Sequence, residues 1–292
     1  DELVHSSNAP GYPLTIGSVD LRESMMRWAK EVLGATGEFD VLPTIGSKEL
    51  VAWLPTFLEA ASVNYPEVAY PTYLVGALIA GAEAHAVGLN PQDWQASDLS
   101  WINTPSNPTG RVHSVAELQA AIDFSRRTNT VLASDECYLH FPASEKVKPV
   151  SLLKVANGDN KNLLTVYSLS KRSNLAGYRA GLIVGDPSLI SRIREIRKHA
   201  GMLVPAPVQR AMAAALRDEM HVHEQAKRYA DRRKRLSPAL EAVGFTIQHS
   251  EAGLYIWCTR EERDWDSVTW LSERGILATP GSFYGEAASH FI

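Results

Sequence analysis

From about Gly46 to Gly185 the chain alternates short apolar runs with helical stretches, and this alternation constrains its fold more than any other feature. Strands that alternate with helices predict a mostly parallel sheet covered by helices on both faces. With 292 residues, of which 45% are hydrophobic, the chain can bury a sizeable core. We therefore expect an α/β fold with a large domain at residues 12–225. A smaller α+β domain should comprise residues 226–292 together with 1–11.

Beyond Gly185 the alternation gives way to longer helical stretches. A single long helix is expected from Val208 to Val243, after a proline-rich start. Strand-like runs at 245–247 and 254–257 flank a turn, and we expect both to be strands of the smaller domain.

The turn that follows the apolar run 163–167 carries several polar residues, namely Ser168, Ser170, Lys171 and Arg179. In open α/β sheets, ligands bind at the carboxyl ends of the strands, where this turn should lie. Arginine offers phosphate a forked and permanently charged partner. A lysine beside a phosphate site suggests a Schiff base with pyridoxal phosphate, whereas an isolated lysine is usually an ordinary surface residue.

Two other apolar runs lead into polar residues in the same way. The run 131–135 ends in Asp135, and a buried carboxylate needs a partner. An Asp that faces the pyridine nitrogen of pyridoxal phosphate keeps that nitrogen protonated, and Tyr138 could bond the phenolic oxygen of the ring. The alternative is that Asp135 only caps the next turn. The second apolar run, 99–103, leads into the turn 104–110, which contains Asn107. Two prolines and one glycine fix the shape of this turn and can direct the Asn107 amide toward a ligand.

Three strings resemble class I aminotransferases of fold type I, in the family's order and approximate spacing. They are Asn-Pro-Thr-Gly at 107–110, Ser-Asp-Glu-Cys-Tyr at 134–138, and Ser-Leu-Ser-Lys with Ala-Gly-Tyr-Arg within 168–179. The resemblance implies a fold type I transferase that depends on pyridoxal phosphate. It implies that Lys171 is the Schiff-base lysine, that Asp135 pairs with the pyridine nitrogen, and that Asn107 and Tyr138 bond the phenolic oxygen. Lys171, Asp135 and Tyr138 are therefore the predicted catalytic residues.

The resemblance also implies a phosphate site, with Ser168 and Arg179 as ligands and Ser170 as a third. Pro43–Leu50 resembles the family's phosphate-binding helix start, at which Ser47 and Lys48 present backbone N–H groups. A helix N-terminus favours negative charge, although a serine there is also a common N-cap.

Two aromatic residues complete the predicted site. Tyr73 matches the family's aromatic ring over the cofactor, although an aromatic residue in such a run can also be part of the core. Tyr12 lies in a stretch, Pro10–Pro13, that resembles the segment crossing into the neighbouring subunit's site. The resemblance therefore implies a homodimer.

The implied reaction is a ping-pong transamination between an amino acid and a 2-oxo acid. Wider strings at 42–49, 197–205 and 250–255 look most like the actinobacterial N-succinyldiaminopimelate aminotransferases of lysine and diaminopimelate biosynthesis. That likeness implies glutamate as donor and N-succinyl-LL-2,6-diaminopimelate as the other amino acid. The alternatives are a β-eliminating C–S lyase, another class I aminotransferase, or a non-catalytic regulator that binds pyridoxal phosphate.

The chain departs from the family pattern near its end. The arginine that grips the substrate α-carboxylate in the family lies just beyond the match to Gly281–Tyr284 and is absent here. We therefore expect the C-terminal domain to be truncated. The family's opening segment is also missing, and the stretch 59–64 is shorter than usual.

Composition excludes several other functions. The net charge of −4 gives no electrostatic case for nucleic-acid binding. The two cysteines lie within apolar runs, so neither a disulfide framework nor a metal site is expected, and a reducing cytoplasm is the expected compartment. No apolar run approaches the roughly 20 residues that cross a bilayer. We expect small-molecule substrates and no membrane or nucleic-acid partner.

Overall fold

The computed structural model describes residues 3–4 and 8–292. Residues 1, 2 and 5–7, which the sequence analysis assigned to the smaller domain, lie outside the described residues. The strands are β1 Asp40–Ile45, β2 Ser62–Pro66, β3 Glu83–Val87, β4 Leu99–Asn103, β5 Val131–Asp135, β6 Leu163–Ser168, β7 Ala180–Gly185, β8 Thr246–Ile247 and β9 Cys258–Thr259. The helices are α1 Val19–Glu31, α2 Gly46–Phe57, α3 Thr72–Ala80, α4 Val115–Thr128, α5 Leu152–Val155, α6 Leu169–Arg172, α7 Pro187–His199, α8 Ala206–Arg217, α9 Met220–Glu241 and α10 Asp264–Ser272.

Strands β1 to β7 form one sheet in the order β1-β7-β6-β5-β4-β2-β3. Strands β2 to β6 run parallel to one another, and β7 runs antiparallel to both of its neighbours, β6 and β1. The predicted mostly parallel sheet is therefore confirmed. Strands β8 and β9 form a separate antiparallel pair.

Helices cover both faces of the large sheet, as the alternating sequence predicts. One apolar cluster packs α1, α4 and α8 against one face, and a second packs α2, α3 and α7 against the other. Side chains alternate along each strand, so neighbours enter different clusters. Leu182 and Val184 of β7 join the first cluster, whereas Ile183 between them joins the second. The sheet is thus buried on both sides, and its carboxyl edge is left for ligands.

The prediction of a single helix from Val208 to Val243 is wrong. The chain forms two helices, α8 and α9, with a break at Asp218 and Glu219. The Asp218 side chain accepts a 2.9 Å hydrogen bond from the backbone N–H of Met220. An aspartate that bonds the backbone two residues onward offers an alternative to the helical bond and favours a new helix start. The hydrophobic spacing gave no sign of this break.

The prediction of a strand at 254–257 is also wrong. The pairing with β8 falls at Cys258–Thr259, because residues 250–253 bond to the large sheet's loops instead. Ala252 N–H donates to the Gly110 carbonyl at 2.9 Å, and Gly253 N–H donates to the Phe141 carbonyl at 2.8 Å. These contacts bring the C-terminal segment, residues 244–292, against the carboxyl edge of the sheet.

The predicted domain boundary between residues 225 and 226 falls inside the continuous helix α9. The division into two domains therefore stays a prediction.

Within the described ranges, every helix is too short or too polar to cross a membrane.

Candidate active site

The carboxyl ends of three adjacent strands bring polar residues to one edge of the sheet. In the strand register, Asn103 at the end of β4 lies beside Asp135 at the end of β5. Ser168 ends the next strand, β6. A cavity of about 340 Å³ opens at this edge, and it is lined by Ser47, Lys48, Tyr70, Tyr73, Asn103, Asn107, Asp135, Cys137, Tyr138, Ser168, Ser170, Lys171, Ala176, Arg179 and Tyr255.

All the residues predicted to bind the cofactor line this one cavity. They are Ser47, Lys48, Tyr73, Asn107, Asp135, Tyr138, Ser168, Ser170, Lys171 and Arg179. Tyr12 does not line it, and its side chain is 97% exposed. The roles of these residues remain predictions, but a random set of polar residues spread over more than 130 positions would not converge in this way.

The sequence analysis did not single out five other lining residues, namely Tyr70, Asn103, Cys137, Ala176 and Tyr255. Tyr70 belongs to the same aromatic string as Tyr73, and Asn103 is a polar strand end like Asp135. The sequence around Tyr70 and Asn103 therefore contained patterns from which both residues could have been predicted. Tyr255 lies in the segment wrongly predicted to be a strand, and its place in the site depends on long-range packing.

One end of the cavity has the character of an anion site. Gly46 begins α2 with a φ of 72°, and a side chain here would collide with the Arg179 guanidinium. Arg179 is held over this helix start by a 2.8 Å bond from Nη1 to the Ala176 carbonyl and a 3.4 Å bond from Nη2 to the Ile45 carbonyl. The first N–H groups of a helix have no partners within the helix and attract anions.

Asp135 is a buried residue of the cavity wall. Its Oδ2 accepts a 3.0 Å hydrogen bond from the Tyr73 hydroxyl, and its Oδ1 accepts a 3.1 Å bond from the Cys137 N–H. Burial raises the pKa of Asp135, and the bonds from Cys137 and Tyr73 act in the opposite direction. A carboxylate held in so little water would gain strongly from a cationic partner in the cavity.

Asn103 fixes the loop that carries Asn107. The Asn103 Nδ2 donates to the Asp135 carbonyl at 2.9 Å, and its Oδ1 accepts from the Asn107 N–H at 2.6 Å. Asn107 Oδ1 itself is buried without a hydrogen-bond partner within the part of the chain that the structure describes. Such an atom requires a ligand or water to recover its lost hydration.

Tyr138 and Lys171 complete the wall of the cavity. The Tyr138 hydroxyl bonds the Tyr255 hydroxyl at 2.9 Å, and burial raises the Tyr138 pKa above its ordinary value. Lys171 lies in α6, directly after β6, and its side chain is exposed. Ser168 caps α6 by accepting a 3.1 Å bond from the Ser170 N–H. The site therefore combines an accessible amine with an anion cradle and a buried carboxylate.

Comparison with known proteins agrees with this geometry. A family model of class I and II aminotransferases matches residues 2–291. The 4-dedimethylamino-4-oxo-anhydrotetracycline transaminase OxyQ of Streptomyces rimosus is 48% identical over 300 residues, covering 100% of this chain and 83% of that relative. The probable aminotransferase Rv1178 of Mycobacterium tuberculosis is also 48% identical, covering 100% of this chain and 71% of that relative. The chain belongs to the class I and II aminotransferase family and is an aminotransferase.

Solved structures show the same fold. An aminotransferase from Neisseria meningitidis matches with a TM-score of 0.90 and 27% identity, over 100% of this chain and 82% of that one. The N-succinyldiaminopimelate aminotransferase of Mycobacterium tuberculosis matches with a TM-score of 0.88 and 25% identity, again over 100% and 82%. The predicted fold type I architecture is therefore confirmed.

Pyridoxal phosphate, the cofactor of this family, fits the residues present. The α2 start with Arg179 suits a phosphate, and the Arg179 guanidinium can lie this close to the helix start only because Gly46 has no side chain. Asp135 suits a protonated pyridine nitrogen, and the unpartnered Asn107 Oδ1 lacks a polar group on the cavity side. Lys171 lines the same cavity and carries the kind of amine with which pyridoxal phosphate forms a Schiff base.

Proposed function

We propose that this aminotransferase uses pyridoxal phosphate to move an amino group between glutamate and N-succinyl-LL-2,6-diaminopimelate. The convergence of the ten predicted residues on one cavity carries the cofactor part of the proposal. The wider sequence strings and the likeness to a solved N-succinyldiaminopimelate aminotransferase support the substrate.

In this proposal the residues divide into a binding group and a reacting group. Ser47, Lys48, Ser168, Ser170 and Arg179 bind the phosphate of the cofactor. Bound pyridoxal phosphate supplies an electron sink that weakens the bonds at the substrate Cα.

Asp135 keeps the pyridine nitrogen protonated through its negative charge, with Tyr73 holding the carboxylate. Asn107 and Tyr138 hold the phenolic oxygen. Lys171 Nζ takes the proton from the substrate Cα and returns it on the cofactor side, so it serves as both base and acid. Glutamate would leave its amino group on the bound cofactor and take its oxo oxygen from water to become 2-oxoglutarate. The second oxo acid would then take up that amino group and release water.

The first test is the absorbance spectrum of the purified protein with added pyridoxal phosphate, before and after glutamate. We expect a visible cofactor band that glutamate bleaches, with one equivalent of 2-oxoglutarate released. Lys171→Ala should still bind the cofactor non-covalently but lose turnover by at least about 10⁴-fold. A band that glutamate leaves unchanged, or near-normal turnover in Lys171→Ala, would refute the assigned chemistry.

The substrate is tested by comparing kcat/KM for a panel of amino acids with 2-oxoglutarate as acceptor. N-succinyl-LL-2,6-diaminopimelate should exceed free LL-2,6-diaminopimelate by about tenfold or more. The 48% identity to OxyQ favours a second candidate, a cyclic ketone of the tetracycline type. A C–S lyase would instead release sulfide and ammonia from a cysteine-derived substrate.

We also propose that two copies of the chain associate. Helix α3 presents an uncharged apolar stripe to solvent, formed by Leu74, Val75, Leu78 and Ile79, with Leu78 65% exposed. Two such stripes can meet without removing any charge from water. Sedimentation should give twice the chain mass, and Leu78→Glu should give the mass of a single chain. A parent protein that sediments as a single chain would rule out the dimer.

A further inference from the structure

Arg172 follows Lys171 in the chain but turns the opposite way. Its side chain is only 3% exposed, and its guanidinium lies over the Trp28 ring, 5.5 Å from the ring centroid. Nη1 donates to the Ala215 carbonyl in the last turn of α8 at 2.9 Å, and Nη2 forms an ion pair with the Glu219 carboxylate. One arginine thus joins α6 to α1, to α8 and to the residue that precedes α9.

Glu219 is the centre of this contact. Its Oε1 also accepts a 3.1 Å hydrogen bond from Trp28 Nε1. The residue lies at the junction between α8 and α9, where the helix is interrupted. Because Arg172 is buried, removal of the Glu219 charge would leave a guanidinium without its counter-charge in a poorly hydrated place.

A second contact ties the same turn to the same junction. Ser173 Oγ bonds His221 Nε2 at 2.9 Å, and His221 Nδ1 lies 3.0 Å from the Asp218 carboxylate. Helix α6 spans only four residues, which is too short to hold its shape by its own backbone bonds. Its orientation therefore depends on contacts made by the side chains behind it.

The junction is connected to the C-terminal segment through α9. That helix contacts β8, and its Arg233 donates to the Gly253 carbonyl at 2.9 Å. Gly253 precedes Tyr255, which lines the cavity. The turn with Lys171 and the segment that carries Tyr255 are thus both connected to α9.

We infer that Arg172 and Glu219 are positioning residues, whose ion pair holds the Lys171 turn in place and ties it to the α8–α9 junction. The role of Lys171 toward the cofactor rests on the proposed function, whereas the hold on the turn does not. Neither Arg172 nor Glu219 lines the cavity, so both act through Lys171 and not on the substrate.

The test compares the parent protein, Glu219→Gln and Glu241→Gln without cofactor, by hydrogen–deuterium exchange. Glu241→Gln is the matched control, because it removes the same charge from the exposed far end of α9. The informative amides are those of Ser173 and Leu175, which both donate to the Leu169 carbonyl. In Glu219→Gln they should exchange at least about tenfold faster, and in the control they should match the parent.

A second readout uses the three proteins loaded with pyridoxal phosphate. Glu219→Gln should slow the bleaching by glutamate about tenfold while KM for glutamate changes by less than about twofold. Equal exchange and equal rates in Glu219→Gln and the control would overturn the inference.

Two further outcomes keep the inference separate from the proposed function. If glutamate does not bleach the parent protein, the proposed function fails, while exchange at Ser173 and Leu175 still decides whether the ion pair holds the turn. If Glu219→Gln does not fold, Arg172→Lys replaces it. Lysine keeps the charge but has a single nitrogen for the three partners of the guanidinium, which are Ser173 Oγ, the Ala215 carbonyl and Glu219. Parent-like exchange in a folded Arg172→Lys would then overturn the inference.

Discussion

Asp135 and Glu136 are neighbours at the end of β5, and each accepts a hydrogen bond from a tyrosine, yet they belong to different regions. Asp135 pairs with Tyr73 on the cavity side of the sheet. Glu136 pairs with Tyr167 on the other face, where its second oxygen accepts a 2.8 Å bond from the Leu152 N–H. Successive side chains of an extended segment point to opposite faces, so adjacent residues enter different surroundings.

The difference shows what distinguishes a reacting carboxylate from a structural one. The protein itself satisfies both oxygens of Glu136, and the residue is fully buried. Asp135 has comparable hydrogen bonds, but it borders a cavity of molecular size. The two carboxylates have similar hydrogen bonds, so access to a ligand is the observation that favours the role we propose for Asp135.

Of the changes to these two carboxylates and their tyrosines, removal of the charge on the cavity side should have the largest effect. Asp135→Asn keeps the size of the side chain but cannot hold the pyridine nitrogen protonated, so kcat should fall about a thousandfold. The free energy of unfolding, measured in urea, should change by no more than about 1 kcal/mol. Glu136→Gln is the matched control, with kcat per folded molecule within about threefold of the parent. Equal losses of kcat in the two variants would contradict the distinction between the two carboxylates.

The next effect concerns the pH dependence of stability. Burial raises the pKa of Glu136 from 4.5 to about 7, and the bonds from Tyr167 and Leu152 only partly oppose this. The folded state therefore binds a proton that the unfolded chain has already released. The stabilisation from this group is complete below pH 4.5 and is lost as the pH rises through about 7.

The two pKa values differ by an amount that corresponds to about 3 kcal/mol in the free energy of unfolding. Urea unfolding of the parent and Glu136→Gln between about pH 4.5 and 8 should show this extra decline only in the parent. Parallel curves for the two proteins would contradict the assignment of Glu136 as a buried, largely neutral carboxyl.

The smallest effects are expected when the tyrosine that bonds each carboxylate is replaced by phenylalanine. Tyr73→Phe removes the bond that favours the charged form of Asp135, so kcat should fall about tenfold. Tyr167→Phe leaves Glu136 with one partner fewer and should lower the free energy of unfolding by about 1–2 kcal/mol, with kcat unchanged. A loss of kcat in Tyr167→Phe as large as that in Tyr73→Phe would show that the two faces are not independent.

Much of the fold and of the site's composition could be predicted from the sequence, because both depend on local patterns. Apolar runs that end in polar residues marked β4, β5 and β6, and parallel strands bring their carboxyl ends to one edge. That rule alone places Asn103, Asp135 and Ser168 together. The functional roles of the lining residues remain predictions.

The features that the sequence missed depend on contacts between distant residues. The break between α8 and α9 coincides with Glu219 meeting Arg172 and Trp28, which are 47 and 191 positions away. Tyr255 enters the cavity because the segment before it bonds the loops at Gly110 and Phe141. Hydrophobic spacing carries no information about such partners.

The reversed direction of β7 has a consequence for how the chain builds its cavity. Ser168 at the end of β6 lies opposite Gly181 at the start of β7, so the chain leaves and re-enters the sheet at the same edge. A single short excursion therefore brings both the amine of Lys171 and the guanidinium of Arg179 to the cavity. A parallel strand would have required a crossover helix between the two. A change in the length of this one loop would displace Lys171 and Arg179 together, and with them both of the roles that we propose for this turn.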